Sequence, residues 1–236
     1  LKELQGKTPN SFYREYSAKE LLDCLKEHIK NGVPVSDFLC EALTATHNAG
    51  ETIASELKGD ALKEGEEYCA YLLNIYSSSA KDFPAELFVE LATGNYPESV
   101  CELATEFLCE RAEEVKEPVI AAFSKTEDKA RERLTEILSG VKGDERVFEI
   151  LLSEFKAHGE NLTLYSSYLA KYGDERALPA LYEAIKNDKI KYSDFEELRF
   201  AIEALGGTYD EPRDFTFDPT YKKICGVKRK PLHERK

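Results

Sequence analysis

From residue 83 onward, apolar residues recur in the form i, i+1, i+4, i+5, i+8, which lays a broad stripe along one face of an α-helix. Val147, Phe148, Leu151, Leu152 and Phe155 spell one copy, and Ala177, Leu178, Leu181, Tyr182 and Ile185 spell another. Upstream, Val115, Lys116, Val119, Ile120 and Phe123 repeat the form, as do Phe83, Pro84, Leu87, Phe88 and Leu91; only Lys116 and Pro84 interrupt it. A second stripe follows each first one: Val100, Leu103, Ala104, Phe107; Leu134, Ile137, Leu138, Val141; Tyr165, Tyr168, Leu169, Tyr172; and Leu198, Ala201, Ile202, Leu205. The predicted unit is therefore a helical hairpin. One hairpin cannot bury both of its faces, so the pattern requires neighbours to stack upon one another.

Punctuation agrees with the period. Gly143-Asp-Glu-Arg146 returns as Gly173-Asp-Glu-Arg176, each copy standing directly before a first helix. Such internal self-similarity is the leading mark of a repeat array. Thr126, Asp144 and Asp174 are N-cap types, while Gly140, Gly159, Gly173 and Gly206 follow the last apolar residue of a helix. Pro179 falls just inside a first helix, where the lost N–H predicts a bent axis.

The N-terminal third is less regular. Ser17-x-x-Glu20 is a capping box opening a helix with Leu21, Leu22, Leu25 and Ile29 on one face. Phe38, Leu39, Ala42 and Leu43 mark a second helix, and Cys69, Leu72, Leu73 and Tyr76 a third; residues 50 to 65 between these two read as an extra short helix or a long loop. The expected organisation is an extension over 1–16, irregular helical repeats over 17–82, regular repeats over 83–207, and a capping segment with a basic tail over 208–236. In that last part, Phe215, Phe217, Tyr221 and Ile224 are expected to anchor the chain in extended form against the final hairpin.

Composition narrows the setting. Of 236 residues, 42% are hydrophobic and 33% charged, as in an ordinary folded protein. No apolar run approaches membrane-spanning length, and the first residues lack the apolar stretch of a secretory leader. Six cysteines without a CxxC pair read as free thiols in a reducing compartment, so a cytoplasmic location is expected. Asn161-Leu-Thr163 matches a glycosylation acceptor by pattern alone. Methionine is absent altogether, even at position 1. The net charge of −13 is uneven: residues 222–236 carry +6, which leaves −19 on residues 1–221. A body so acidic repels phosphate backbones, so duplex nucleic acid is a poor partner and a cationic one a good partner.

Ala130–Leu152, Tyr172–Ile185 and Glu197–Gly207 resemble bacterial HEAT-like repeats, in which a second helix ends in a small-residue turn leading into an acidic cap and a bent first helix. The resemblance is good over residues 115–207 and rests on pattern alone over 83–114. It implies an all-α fold, an αα-superhelix forming a right-handed solenoid, whose usual role is to hold another macromolecule. It implies no chemistry, because the repeat specifies packing.

Enzymes on this scaffold leave signatures that can be sought. The deoxyhypusine hydroxylase family holds iron with several His-Glu pairs, whereas the one adjacent pair here is His233-Glu234 in the tail. Bilin lyases offer no distinctive signature to match. HEAT-like DNA glycosylases use a basic concave face, which the acidic second helices do not provide. Cys24 and His28 stand at i and i+4, yet read better as an apolar filler and a solvated side chain than as zinc ligands. His158 is expected to cap a helix C-terminus. No phosphate loop, nucleophile elbow or HExxH occurs.

These readings point to a non-enzymatic scaffold, monomeric and outside the membrane, that binds a protein or peptide in a groove lined by the second helices, with no catalytic residue, metal or cofactor. Thr135, Ser166 and Arg199 occupy equivalent positions on consecutive second helices and are expected to form one exposed ridge; Glu132, Thr163 and Glu196 form a parallel one. The alternative is an enzyme or enzyme subunit, metal-dependent or lyase-like, with a pocket between repeats.

Overall fold

The computed structural model describes residue 13 and residues 15–59, 61–79 and 83–225, and among them thirteen α-helices and no strand occur. The chain divides into two compact units, residues 1–134 and 135–236.

The first unit opens with α1 (Ala18–Lys30), α2 (Asp37–Ala45), α3 (Ala49–Lys58), a 3-10 turn at Ala61–Glu64 and α4 (Glu66–Ser79). The capping box forms as its sequence requires: the Ser17 hydroxyl accepts from the Glu20 N–H at 3.3 Å, and the Glu20 carboxylate accepts from the Ser17 N–H at 2.8 Å. Leu21, Leu25, Leu39, Leu43, Ile53 and Leu72 are fully buried where α1 to α4 meet. Residues 50–65 thus prove largely helical, with Ile53 and Leu57 giving α3 the apolar face that fits it into this core.

Next come α5 (Ala85–Thr93), α6 (Glu98–Glu110) and α7 (Ala112–Phe123), and α8 (Asp128–Leu138) spans the division between units. α5 packs on both α6 and α7, and α6 packs on α4. Phe88 is the hub, its ring centroid 4.7 Å from Phe83, 5.6 Å from Phe107 and 6.3 Å from Tyr76. Arg133 of α8 adds a polar clamp, donating to the Ala92 carbonyl at 3.0 Å and to both Glu98 oxygens at 2.9 Å. Thr126 does not cap α8 with its side chain as expected. Its hydroxyl donates back to the Ala122 carbonyl at 2.8 Å, finishing α7 instead. A carbonyl four residues earlier lies within easy reach of a threonine hydroxyl.

The second unit contains α9 (Glu145–Ala157), a 3-10 turn at Gly159–Asn161, α10 (Leu162–Tyr172), a 3-10 turn at Glu175–Ala177, α11 (Leu178–Ile185), α12 (Tyr192–Ala204) and α13 (Pro219–Ile224). The repeated Gly-Asp-Glu-Arg does the same job twice. Asp144 and Asp174 each cap the following turn by accepting from the backbone N–H of Arg146 and Arg176. Arg176 also pairs with Glu145 at 2.9 Å and lies 4.2 Å over the Phe148 ring, so the second copy is fastened to the first. Tyr172 donates its hydroxyl to the Asp144 carbonyl at 2.9 Å, and the Lys142 ammonium donates to the carbonyls of Lys171 and Tyr172 at the end of α10. Gly173 turns that end at φ 85°, a left-handed conformation costly for other residues.

Pro179 does not bend a continuous helix. It sits in the first turn of α11, after a separate 3-10 turn, where a missing N–H costs nothing.

After α12 the backbone turns at Gly206 (φ 83°), with the Gly207 N–H reaching the Ile202 carbonyl at 2.9 Å; a Cβ at Gly207 would stand 2.6 Å from the Tyr182 hydroxyl. The expected cap is formed in part. Tyr209 and Phe215 are buried, Phe215 lying 5.0 Å from Phe195 and 5.3 Å from Tyr192, and Tyr221 lies 5.0 Å from Tyr192. Phe217 and Ile224, however, are 86% and 66% exposed and anchor nothing here. The reason is local: Asp214 accepts from the Thr216 N–H at 2.8 Å, a turn that swings Phe217 outward. Asp218 then caps the helix α13 where extended chain was expected. The basic stretch 228–236, with His233-Glu234, lies outside the described residues, as do residues 1–12.

Candidate functional site

Two adjacent second helices of the second unit, α10 and α12, pack along their length and present a shared outer face. Thr163 stitches them together, its hydroxyl donating to the Asp194 carboxylate at 2.7 Å. Thr163, Glu196 and Arg199 are half-buried, as is Glu132 on α8. Arg199 is held over its own helix by Glu196 at 3.0 Å and Glu203 at 3.8 Å.

Thr135 and Ser166 correct the expected ridge, for both are fully buried. A second helix packs on more than its own hairpin partner, so its buried arc is wider than the apolar stripe. The position matching Thr135 and Ser166 on α6 is Cys101, also small and buried. Small residues let the helices approach closely, and the Ser166 hydroxyl is satisfied by the Thr163 carbonyl at 3.1 Å. At α12, the last second helix, the same position carries Arg199 and opens towards solvent.

The residue that does project is Phe200, 67% exposed. Helical periodicity places Glu196, Glu197 and Glu203 around it at i−4, i−3 and i+3, so an apolar ring stands among three carboxylates. Phe200 falls outside the stripe of Phe195, Leu198, Ala201 and Ile202, a signal legible in the sequence and missed by a search for polar ridges.

Comparison with protein families, curated proteins and solved structures gives no match to this chain.

Clefts open on both units. One of about 550 Å³ lies between α2 and α4, lined by Cys40, Thr44, Tyr71 and Asn74. Another, of about 730 Å³, lies between α5 and α7. In the second unit, a cleft of about 510 Å³ between α9 and α11 is lined by Phe155, Lys156, Glu183, Ala184 and Asn187.

Three of the thiols, Cys24, Cys40 and Cys69, are poorly placed for nucleophilic work. Burial pushes Cys69 up to about 11, and burial followed by nearby carboxylates raises Cys24 and Cys40. Each therefore stays protonated at neutral pH, and the thiol is a weak nucleophile. His28 Nδ1 lies 2.8 Å from the Cys24 carbonyl oxygen. Among the described residues no group of three or more His, Cys, Asp or Glu could hold a metal ion, and no helix is long and apolar enough to cross a membrane. His158 does end α9: its N–H donates to the Glu154 carbonyl at 3.0 Å, its ring stacks on Tyr165 at 4.8 Å, and Nδ1 lies 3.0 Å from Glu160.

Proposed function

We propose that the chain is a HEAT-like scaffold without enzymatic activity, which binds a protein or peptide of cationic character on the outer face of α10 and α12. The support for a stacked reading is the packing of α5 on α7 and of α4 on α6 in the first unit, and of α10 on α12 in the second. The observation that carries the functional reading is Phe200, an exposed aromatic ring bordered by Glu196, Glu197 and Glu203. Aromatic side chains supply much of the energy at protein interfaces, and a carboxylate border favours positively charged partners. Arg199 offsets part of that charge and orients Glu196 and Glu203.

The test is recovery of partners from an extract by wild type, by Phe200→Ser, and by an Arg199→Glu, Glu196→Lys pair. A partner held by wild type should be lost from both variants, whose melting temperatures should stay within a few degrees of wild type. Equal recovery by all three would remove this face from consideration.

A further inference from the structure

We propose that the cleft between α5 and α7 is a receptor for an arginine side chain of a bound protein, a site separate from the α10–α12 face and independent of it. The floor is apolar and short, made by Val89, Ala122 and Ala130. Glu86 and Glu90 stand one turn apart on the exposed side of α5, and Glu127 joins them at the rim. None of these three carboxylates has an ion-pair partner among the described residues, and Lys125 is the single cation in the lining. The hydroxyls of Thr93 and Thr126, also in the lining, are already committed as donors to the carbonyls of Val89 and Ala122 at 2.8 Å.

The cleft therefore offers acceptors and excess negative charge but almost no donor. A complementary ligand must bring both donors and positive charge, on a stem thin enough to lie along alanines. An arginine side chain meets all three demands: its methylenes cover apolar surface, and its planar guanidinium carries five donors that can serve more than one carboxylate.

The second unit supplies an internal contrast. Its cleft between α9 and α11 uses the matching side of the later helix, with Glu183, Ala184 and Asn187 standing where Ala121, Ala122 and Lys125 stand in the first. There Lys156 balances Glu183, and no excess of carboxylate remains. The arginine preference belongs to the first unit.

The probe is N-acetyl-arginine methylamide, titrated to millimolar concentration against the full chain labelled at alanine methyls, with the neutral isostere N-acetyl-citrulline methylamide in parallel. Arginine should shift the methyls of Ala121, Ala122 and Ala130 saturably, and citrulline should not. A Glu86→Gln, Glu90→Gln, Glu127→Gln variant should weaken that binding at least about tenfold, as expected when charge-assisted hydrogen bonds are lost. A reference variant with Glu67→Gln, Glu102→Gln and Glu106→Gln, which removes as many exposed charges elsewhere in the unit, should bind as wild type does, and so should Phe200→Ser. All of these substitutions lie at exposed positions and keep the core intact. Equal shifts with citrulline, equal weakening in the reference variant, undiminished binding by the cleft variant, or no saturable shift with arginine would each overturn the assignment.

Discussion

The join between the two Gly-Asp-Glu-Arg turns and the corner formed by α1 to α4 set the chain the same task, fastening one helical pair to the next, and solve it differently. In the second unit the fastening is polar and sits at the turns: Arg176 reaches Glu145 and Phe148, and Lys142 closes the end of α10. At the α1–α4 corner of the first unit it is apolar and central, with α3 inserted and Leu25, Leu39, Leu43, Ile53 and Leu72 sealed from solvent. Polar clamps at turns need particular residues at a fixed spacing, whereas a leucine core accepts many spacings. Regularity of sequence therefore reflects where a joint is made more than how strong it is.

The largest effect is expected from cutting one leucine from each unit. Leu72 and Leu181 are both fully buried. Truncating either to alanine should cost about 2 to 5 kcal/mol. Glu183 is exposed, and Glu183→Ala should change stability by about 0.5 kcal/mol or less. Denaturant unfolding measures all three. If Leu72→Ala behaved like Glu183→Ala, the irregular corner would not be the tight core described here.

A smaller effect, of opposite sign, is expected at Tyr68. Its ring is completely buried beside Lys26, whose ammonium stands 5.4 Å from the ring centroid, and its hydroxyl meets no hydrogen-bond partner among the described residues. Burial first, then Glu56 and Glu64, drive the phenol well above its ordinary pKa. Removing an unsatisfied buried hydroxyl relieves a desolvation cost of about 1 to 3 kcal/mol, so Tyr68→Phe should melt at or above the wild-type temperature. A clear drop would mean that the hydroxyl is bonded in solution.

Smaller still is the contribution of Glu98, the polar clamp of the first unit. Hydrogen bonds from Lys129 and then Arg133 hold its carboxyl down to about 2. A depressed folded-state pKa contributes stability above the ordinary carboxylate range, which is lost as pH falls towards the folded-state value. Wild type should therefore lose more stability than Glu98→Gln as the solution is taken from mildly to strongly acidic. Parallel acid limbs would show that the clamp is already screened by solvent.

The sequence reveals these features to different degrees, according to whether each is set locally or by packing. Helix positions in residues 83–207 follow from apolar periodicity, and the Ser17 box and the Asp144 and Asp174 caps follow from side chains that act on neighbours two or three residues away. The burial of Thr135 and Ser166 depends on which helix lies alongside, which no stripe within one helix reveals. The outward swing of Phe217 hinged on Asp214 engaging the backbone, a choice that an alternating aromatic pattern disguised as extended chain. In the cleft of the first unit, each glutamate read singly is an ordinary solvated residue. Only the packing of α5 on α7 collects Glu86, Glu90 and Glu127 around one hollow.

Asp218 carries a consequence for the order of events during synthesis. One of its carboxylate oxygens accepts from the N–H groups of Thr220 and Tyr221, while the other accepts from the N–H of Tyr192, 26 residues earlier, at 3.1 Å. The opening turn of α12 thus waits for a side chain that has not yet been made when α12 itself emerges. At typical elongation rates of about 5 to 20 residues per second, that delay is about 1 to 5 s, long compared with helix formation. A nascent chain stalled before residue 218 would hold α12 with a frayed beginning and with Tyr192 and Phe195 uncovered, an opening that the last stretch of translation closes.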